Sequence, residues 1–155
     1  MIPNLSQFIL LPLLGIVFLF MIPPQKTVVI RRITNITLFL TALLSVWFFC
    51  AYNTTVGGYQ FVQNIPWVTT LGISYHLGID GISSLLVLLL GIVSYSGLLV
   101  SKSIQDRVKE YHIMYLLIVA GTFGAFLSLD IFFFYFFHEV ATIPVFLMIG
   151  IWGTG

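Results

Sequence analysis

The chain has 155 residues, 59% of them hydrophobic and only 7% charged, with a formal net charge of +1. A water-soluble domain carries about 25% charged residues, so this chain cannot cover its surface in water and belongs in a membrane. The near-neutral balance excludes a nucleic-acid surface, and the single cysteine, Cys50, excludes both an internal disulfide and a thiolate metal cluster.

A bilayer core about 30 Å thick takes roughly 20 apolar residues in helical form. Five segments predict such helices, at about residues 5–22, 33–52, 82–100, 111–129 and 131–152. The first runs from Leu5 to Ile22 and is closed by Pro23-Pro24. It lacks the basic start and small-residue cleavage site of a signal peptide, so it is expected to remain as an anchor. The second runs from Ile33 to Tyr52 and carries Cys50, read as a small hydrophobe.

An outer loop at 53–81 follows. Ile73, Tyr75, Leu77 and Ile79 alternate with Ser74, His76, Gly78 and Asp80. This period of two predicts a short strand, with Tyr59-Gln60-Phe61 as its partner in a hairpin. Trp67 and Tyr75 suit the interface, where an aromatic body meets headgroups. Asp80 is placed to cap the third helix, Ile82 to Val100, with Ser83 and Ser84 in its first turn. Gly91, Ser94 and Gly97 on that helix read as packing marks, as do Gly121, Gly124 and Ala125 on the fourth, Tyr111 to Leu129. Asp130 is placed to cap the fifth helix, Ile131 to Trp152. His76 and His112 are expected at the membrane surface.

None of the five predicted runs contains Lys or Arg. Lys26, Arg31 and Arg32 lie in the first connection and Lys102, Arg107 and Lys109 in the third; the second and fourth connections have no basic residue. The bias toward one side predicts an N-terminus and a 53–81 loop outside, and Gly155 at the inner end of the fifth helix.

One acid stands apart. In FFFYFFHEVATIPVFLMIG, residues 132–150, Glu139 lies near the bilayer midplane, where a charged side chain costs a few kcal/mol. Three outcomes are open to it: a protonated carboxyl, a hydrated cavity, or a cation on another helix. In each the affinity for a proton depends on the surroundings, because burial favours the neutral acid and a nearby cation favours the anion. That dependence suits a proton relay. Tyr135 and Thr142 place hydroxyls one turn to either side, and Pro144 leaves the Val140 carbonyl without its helical donor. The acid, the hydroxyls and the loosened turn suit a short water chain. His138 points about 100° away on the helix, either as a second relay group or as a packing residue. The bland alternative is a protonated Glu139 that joins two helices by a hydrogen bond. No residue pattern for holding a cofactor or a metal occurs.

YHLGIDGIS at 75–83, the helix SSLLVLLLGIV, a basic inner loop and SLDIFFFYFFHEVATIPVFLMIGIWG together resemble the antiporter-like subunit M (chain 4) family of proton-pumping NADH:quinone oxidoreductase, respiratory complex I. The resemblance spans essentially the whole chain. It implies an all-α membrane fold in which these five helices and the outer hairpin form the N-terminal part of a larger subunit of about fourteen helices. It implies that Glu139 is an essential proton-path residue facing a lysine on a later helix, beyond residue 155. It further implies no cofactor in this chain, with NADH, flavin, iron–sulfur clusters and quinone in partner subunits. The partners implied are other membrane subunits, neighbouring antiporter-like subunits and lipids, in a bacterial or organellar inner membrane. Where the family commonly has tryptophan before the glutamate, this sequence has His138. On this reading the chain is an N-terminal fragment that does not pump alone. The alternatives are a subunit of a multi-subunit sodium/proton antiporter, which shares the acid-bearing helix, and a non-pumping membrane scaffold.

Overall fold

The computed structural model describes residues 4–101 and 104–153. Among them are α1 (Gln7–Phe20), α2 (Thr27–Ala51), β1 (Gln60–Val68), β2 (Ile73–Ile79), α3 (Gly81–Val100), α4 (Val108–Leu127) and α5 (Ile131–Trp152). This is the predicted all-α membrane architecture with a hairpin in the loop between the second and third helices. Four of the helices, α2 to α5, are long and apolar enough to cross a membrane.

α1 has 14 residues, about 21 Å at 1.5 Å per residue, and is shorter than the predicted 5–22. Its ends explain the difference. The N–H groups of Phe8 and Ile9 donate to the carbonyls of Leu5 and Ser6, and those of Met21 and Ile22 to Phe18 and Leu19. These i to i−3 bonds tighten the first and last turns and carry a helical path past the regular segment, until Pro23-Pro24 ends it.

α2 departs in the other direction. It begins at Thr27, six residues ahead of Ile33, and so includes Arg31 and Arg32. Its 25 residues span about 37 Å, longer than the roughly 30 Å hydrocarbon core. α4 likewise begins at Val108 and holds Lys109 and Glu110 in its first turn. The helices therefore extend past the predicted apolar runs and take in basic residues that those runs exclude. Hydropathy marks the depth of hydrocarbon, whereas helical hydrogen bonding continues into the headgroup layer.

α4 is the central helix and packs on α1, α2, α3 and α5. Its Phe123 meets Phe8 of α1 with ring centroids 4.9 Å apart, and Phe8 meets Phe48 of α2 at 5.1 Å. Lipid tails are as apolar as these rings, so close approach between helices decides which surfaces meet. Small residues provide it. A Cβ on Gly91 would overlap Ser45 of α2, and one on Gly124 would overlap the ring of Phe137 on α5.

β1 and β2 pair antiparallel, with Gln60 opposite Ile79 and Val68 opposite Ile73. β1 reaches much further than the predicted Tyr59–Phe61 partner. It is turned back by a 3-10 turn, Thr69–Leu71, and by Gly72 at φ +69°, a conformation open to glycine. The register shifts between Gln60 and Gln63, where Phe61 has φ +54°. This bulge places the Phe61 ring 5.1 Å from Phe48, and it breaks the alternation by which strands are read. The hairpin closes one end of the bundle. Leu77 and Ile79 are fully buried, and the Tyr75 hydroxyl donates to Ser6 Oγ at 3.1 Å. Trp67, although 61% exposed, packs against the rings of Phe132 and Phe133 at 5.7 and 5.4 Å.

Asp80 caps α3 through a reciprocal box. The Ser83 N–H and hydroxyl donate to its Oδ1 at 2.7 and 2.6 Å, and the Asp80 N–H donates to Ser83 Oγ at 2.9 Å. The Ser83 hydroxyl, then the Ser83 N–H, holds this carboxyl below the ordinary carboxylate range. A lowered folded value stabilises the fold above the unfolded value, and the gain is lost as pH falls through the folded one. Asp80→Ala should therefore cost about 1 kcal/mol and fray the first turn of α3. Amide exchange at residues 82–84, corrected for intrinsic rates, checks this. Protection should fall as pH drops below the ordinary carboxylate value of about 4 in the native protein and show no such step in the variant.

Candidate functional site

Asp130 sets the start of α5. Its Oδ1 accepts from the Phe132 and Phe133 N–H groups at 2.9 and 3.2 Å, and its Oδ2 accepts from the Ser74 N–H of β2 at 3.0 Å. One carboxylate thus caps the helix and ties it to the hairpin. The Ser74 N–H is the main cause holding this carboxyl below its ordinary range. Tyr75 adds an edge-on contact with Phe133, ring centroids 5.3 Å apart.

From that fixed start Glu139 is the ninth of 22 residues, about 12 Å along a helix of about 33 Å. α5 packs chiefly on α4, with a contact to β2, and only 11% of its most apolar stretch is buried. Phe137 and Pro144, seven residues apart, form the buried face. Glu139 lies on the open face, among Phe132, Tyr135, Phe136, Ile143 and Phe146, the last 75% exposed. It has no hydrogen bond and no ion pair among the described residues.

The residues expected around the acid fall on two faces of the helix. Tyr135 is exposed one turn before Glu139 on the same strip. Its hydroxyl has no hydrogen bond among the described residues. Thr142, one turn after Glu139, lies within about 20° of the Tyr135 line, but its hydroxyl engages His138. The Thr142 hydroxyl donates to the His138 carbonyl at 2.9 Å and lies 3.4 Å from His138 Nδ1, and the His138 ring leans on Phe134 with centroids 6.3 Å apart. Thr142 is thus turned to His138 rather than to the acid. Pro144 lies on the packed face with Phe137, so the turn it loosens is not on the face of Glu139. The 3.6-residue repeat puts Tyr135 and Thr142 within about 60° of Glu139 on one side and Pro144 about 140° away on the other.

His112, expected at the membrane surface, is 2% exposed. α4 starts at Val108, which puts His112 one turn in and facing α2 and α3. Its Nδ1 is 2.7 Å from the Val108 carbonyl. His76 is half-buried, and its carbonyl accepts the Leu129 N–H at 2.8 Å. Among the described residues no group of three His, Cys, Asp or Glu side chains is placed to hold a metal ion.

The described basic residues gather at the end away from the hairpin. Lys109 Nζ donates to the carbonyls of Phe20 and Ile22 at 3.3 and 2.8 Å, which satisfies the free carbonyls at the end of α1. Arg31 donates to the Ile104 carbonyl. Trp152 Nε1 donates to the Asp106 carbonyl at 3.0 Å, holding the end of α5 to the same layer.

No family model matches the chain. It is 38% identical over 152 residues to NADH-ubiquinone oxidoreductase chain 4 of Marchantia polymorpha, covering 97% of this chain and 31% of that protein. It is 28% identical over 157 residues to NADH-quinone oxidoreductase subunit M of Rickettsia conorii, covering 97% of this chain and 32% of that protein. In structure it is similar to a chain of respiratory complex I from Thermus thermophilus with bound NADH. The TM-score is 0.77 and the identity 26%, covering 98% of this chain and 29% of that one. The chain thus spans about a third of the length of the curated relatives it matches.

Proposed function

Because the chain belongs to the subunit M (chain 4) family of NADH-quinone oxidoreductases, we propose that it is part of a proton-translocating membrane subunit of that enzyme. Electron transfer from NADH to quinone takes place in partner subunits, which hold the flavin, the iron–sulfur clusters and the quinone. The subunit to which this chain contributes uses the released energy to move protons. It sits in a bacterial or organellar inner membrane beside neighbouring antiporter-like subunits, with the N-terminus and the hairpin on the outer side.

The observation that carries this reading is the position of Glu139. It is an acid at membrane depth, on a face left open by the other described elements, with no partner among them. Leaving a carboxylate there costs a few kcal/mol. The cost is met when a cation or water chain from elsewhere in the assembly reaches the open face of α5, such as the lysine on a later helix that the resemblance implies. Moving that cation toward or away from Glu139 changes which form of the carboxyl is favoured, which is the elementary step of a relay. Tyr135, one turn away on the same strip, is a hydroxyl for the water chain. His138 and Thr142 form a side branch of it.

Inverted membrane vesicles carrying the full assembly test the reading. Proton uptake that starts with NADH and persists in sodium-free buffer supports it. Proton exchange driven by a sodium gradient without NADH overturns it in favour of an antiporter subunit.

A further inference from the structure

At the end of the bundle away from the hairpin, a cavity of about 230 Å³ opens between α2, the end of α3 and the start of α4. It is lined by Arg31, Asn35, Leu98, Leu99, Ser101 and His112. From this arrangement we infer that the cavity is a binding site for the phosphate of an anionic lipid headgroup.

Charge supports this. Among the described residues no acidic side chain lines the cavity, and Glu110 is paired with Arg107 at 4.0 Å. The Arg31 side chain is fixed at the wall by its bond to the Ile104 carbonyl, so its charge is held in place before a ligand arrives. A guanidinium is the side chain best matched to phosphate oxygens. The Asn35 amide, one turn deeper on α2, is half-buried and makes no hydrogen bond among the described residues. That amide is open to the cavity and can donate to a ligand oxygen. Because His112 Nδ1–H donates to the Val108 carbonyl, Nε2 is left as a hydrogen-bond acceptor, which suits a headgroup hydroxyl beside the phosphate rather than the phosphate itself. The Ser101 hydroxyl is already used, since it donates to the Gly97 carbonyl at 2.8 Å and accepts from Tyr111 at 2.7 Å; it shapes the wall.

Depth and size select a lipid. Arg31 lies four residues into α2, about 6 Å from its start, within the part of this long helix that exceeds the hydrocarbon thickness. That is the level of phosphates in a leaflet, and basic pockets between helices at this level take anionic headgroups. The volume is below the roughly 300–1,000 Å³ of pockets that enclose drug-sized molecules, which suits a headgroup whose chains stay outside. Exposed Ile36, Leu99 and Val100 offer those chains an apolar flank.

The test uses the full-length protein in its native membrane assembly, moved into bilayer discs that contain a photoactivatable phosphatidylglycerol or a matching phosphatidylcholine. Mass spectrometry of peptides covering 31–36 and 98–101 reads the labelling. Phosphatidylglycerol should label both segments and phosphatidylcholine should not. Arg31→Gln should lower the labelling about fivefold, Arg31→Lys should retain most of it, and Lys26→Gln, at an exposed position outside the cavity, should leave it unchanged. Where Arg31→Gln fails to assemble, competition by unlabelled phosphatidylglycerol in the native protein decides: displacement supports the site and its absence overturns it. Equal labelling by both lipids, labelling indifferent to the charge at 31, or displacement by millimolar inorganic phosphate overturns a lipid site.

Discussion

Glu139→Gln in the full-length protein is expected to abolish most of the proton uptake per electron, since losing a positioned proton-transfer group costs about 10²–10⁴-fold in rate. The amide has nearly the shape of the carboxyl and still makes hydrogen bonds, but it does not take up or release a proton. Substitution therefore separates relay from adhesion. If Glu139 only joined helices, Gln would preserve both assembly and pumping. Glu139→Asp, which keeps the acid but withdraws it by one methylene, should restore part of the uptake. Proton stoichiometry is read in sealed inverted vesicles, with assembly of the complex measured in parallel. Normal stoichiometry in the Gln variant would falsify the proposed role. The position of the side chain supports a large effect: it has no partner on α1 to α4 or the hairpin that a Gln would disturb, so a loss of uptake does not trace to local unfolding.

The second large effect is structural. Gly124→Leu should separate α4 from α5 and reduce the assembled protein severely. Even a Cβ at Gly124 overlaps the Phe137 ring, and one at Gly121 would lie 2.7 Å from the Ala141 nitrogen and the Phe137 carbonyl. The ring of Phe137 is buried, and at Gly121 the obstacle is backbone, so neither contact is relieved by rotating an exposed side chain. Overpacking of this kind costs about 1–3 kcal/mol or more. Its effect is concentrated here because α5 has little other packing. A disulfide trap between cysteines placed on α4 and α5, combined with the Leu substitution, reads the separation directly. Efficient cross-linking in the Leu variant would show that the helices accommodate the added volume. Gly150→Leu is the contrast: a Cβ there meets no neighbour, and the change should be tolerated.

Much of the fold was legible in the residues. Runs of apolar side chains marked helices α2 to α5. The Asp130 cap was readable because an acid stood directly before an apolar run, and so was Asp80, one Gly further from Ile82. The first strand was not readable past Phe61, because a bulge and Pro66 interrupt its alternation. The starts of α2 and α4 were misplaced because Arg31, Arg32 and Lys109 ended the apolar runs, while backbone hydrogen bonds continued beneath them. His112 was misread for the same reason: a polar residue beside a basic loop reads as surface, and only the packing of α2 and α3 against α4 buries it.

Composition and pattern by themselves determined that this is a membrane chain of about five helices, with an acid placed in the fifth and a charge bias between its ends. Those properties follow from each segment's own free energy in hydrocarbon or water, which needs no knowledge of neighbours. Tertiary structure alone decided which strip of α5 is packed and which carries Glu139 into the open, that Thr142 turns to His138, and that Arg31, Asn35 and His112 meet around one cavity. Each depends on how closely particular helices approach. That distance is set by shape matching between glycines and rings on different segments, which no single segment encodes.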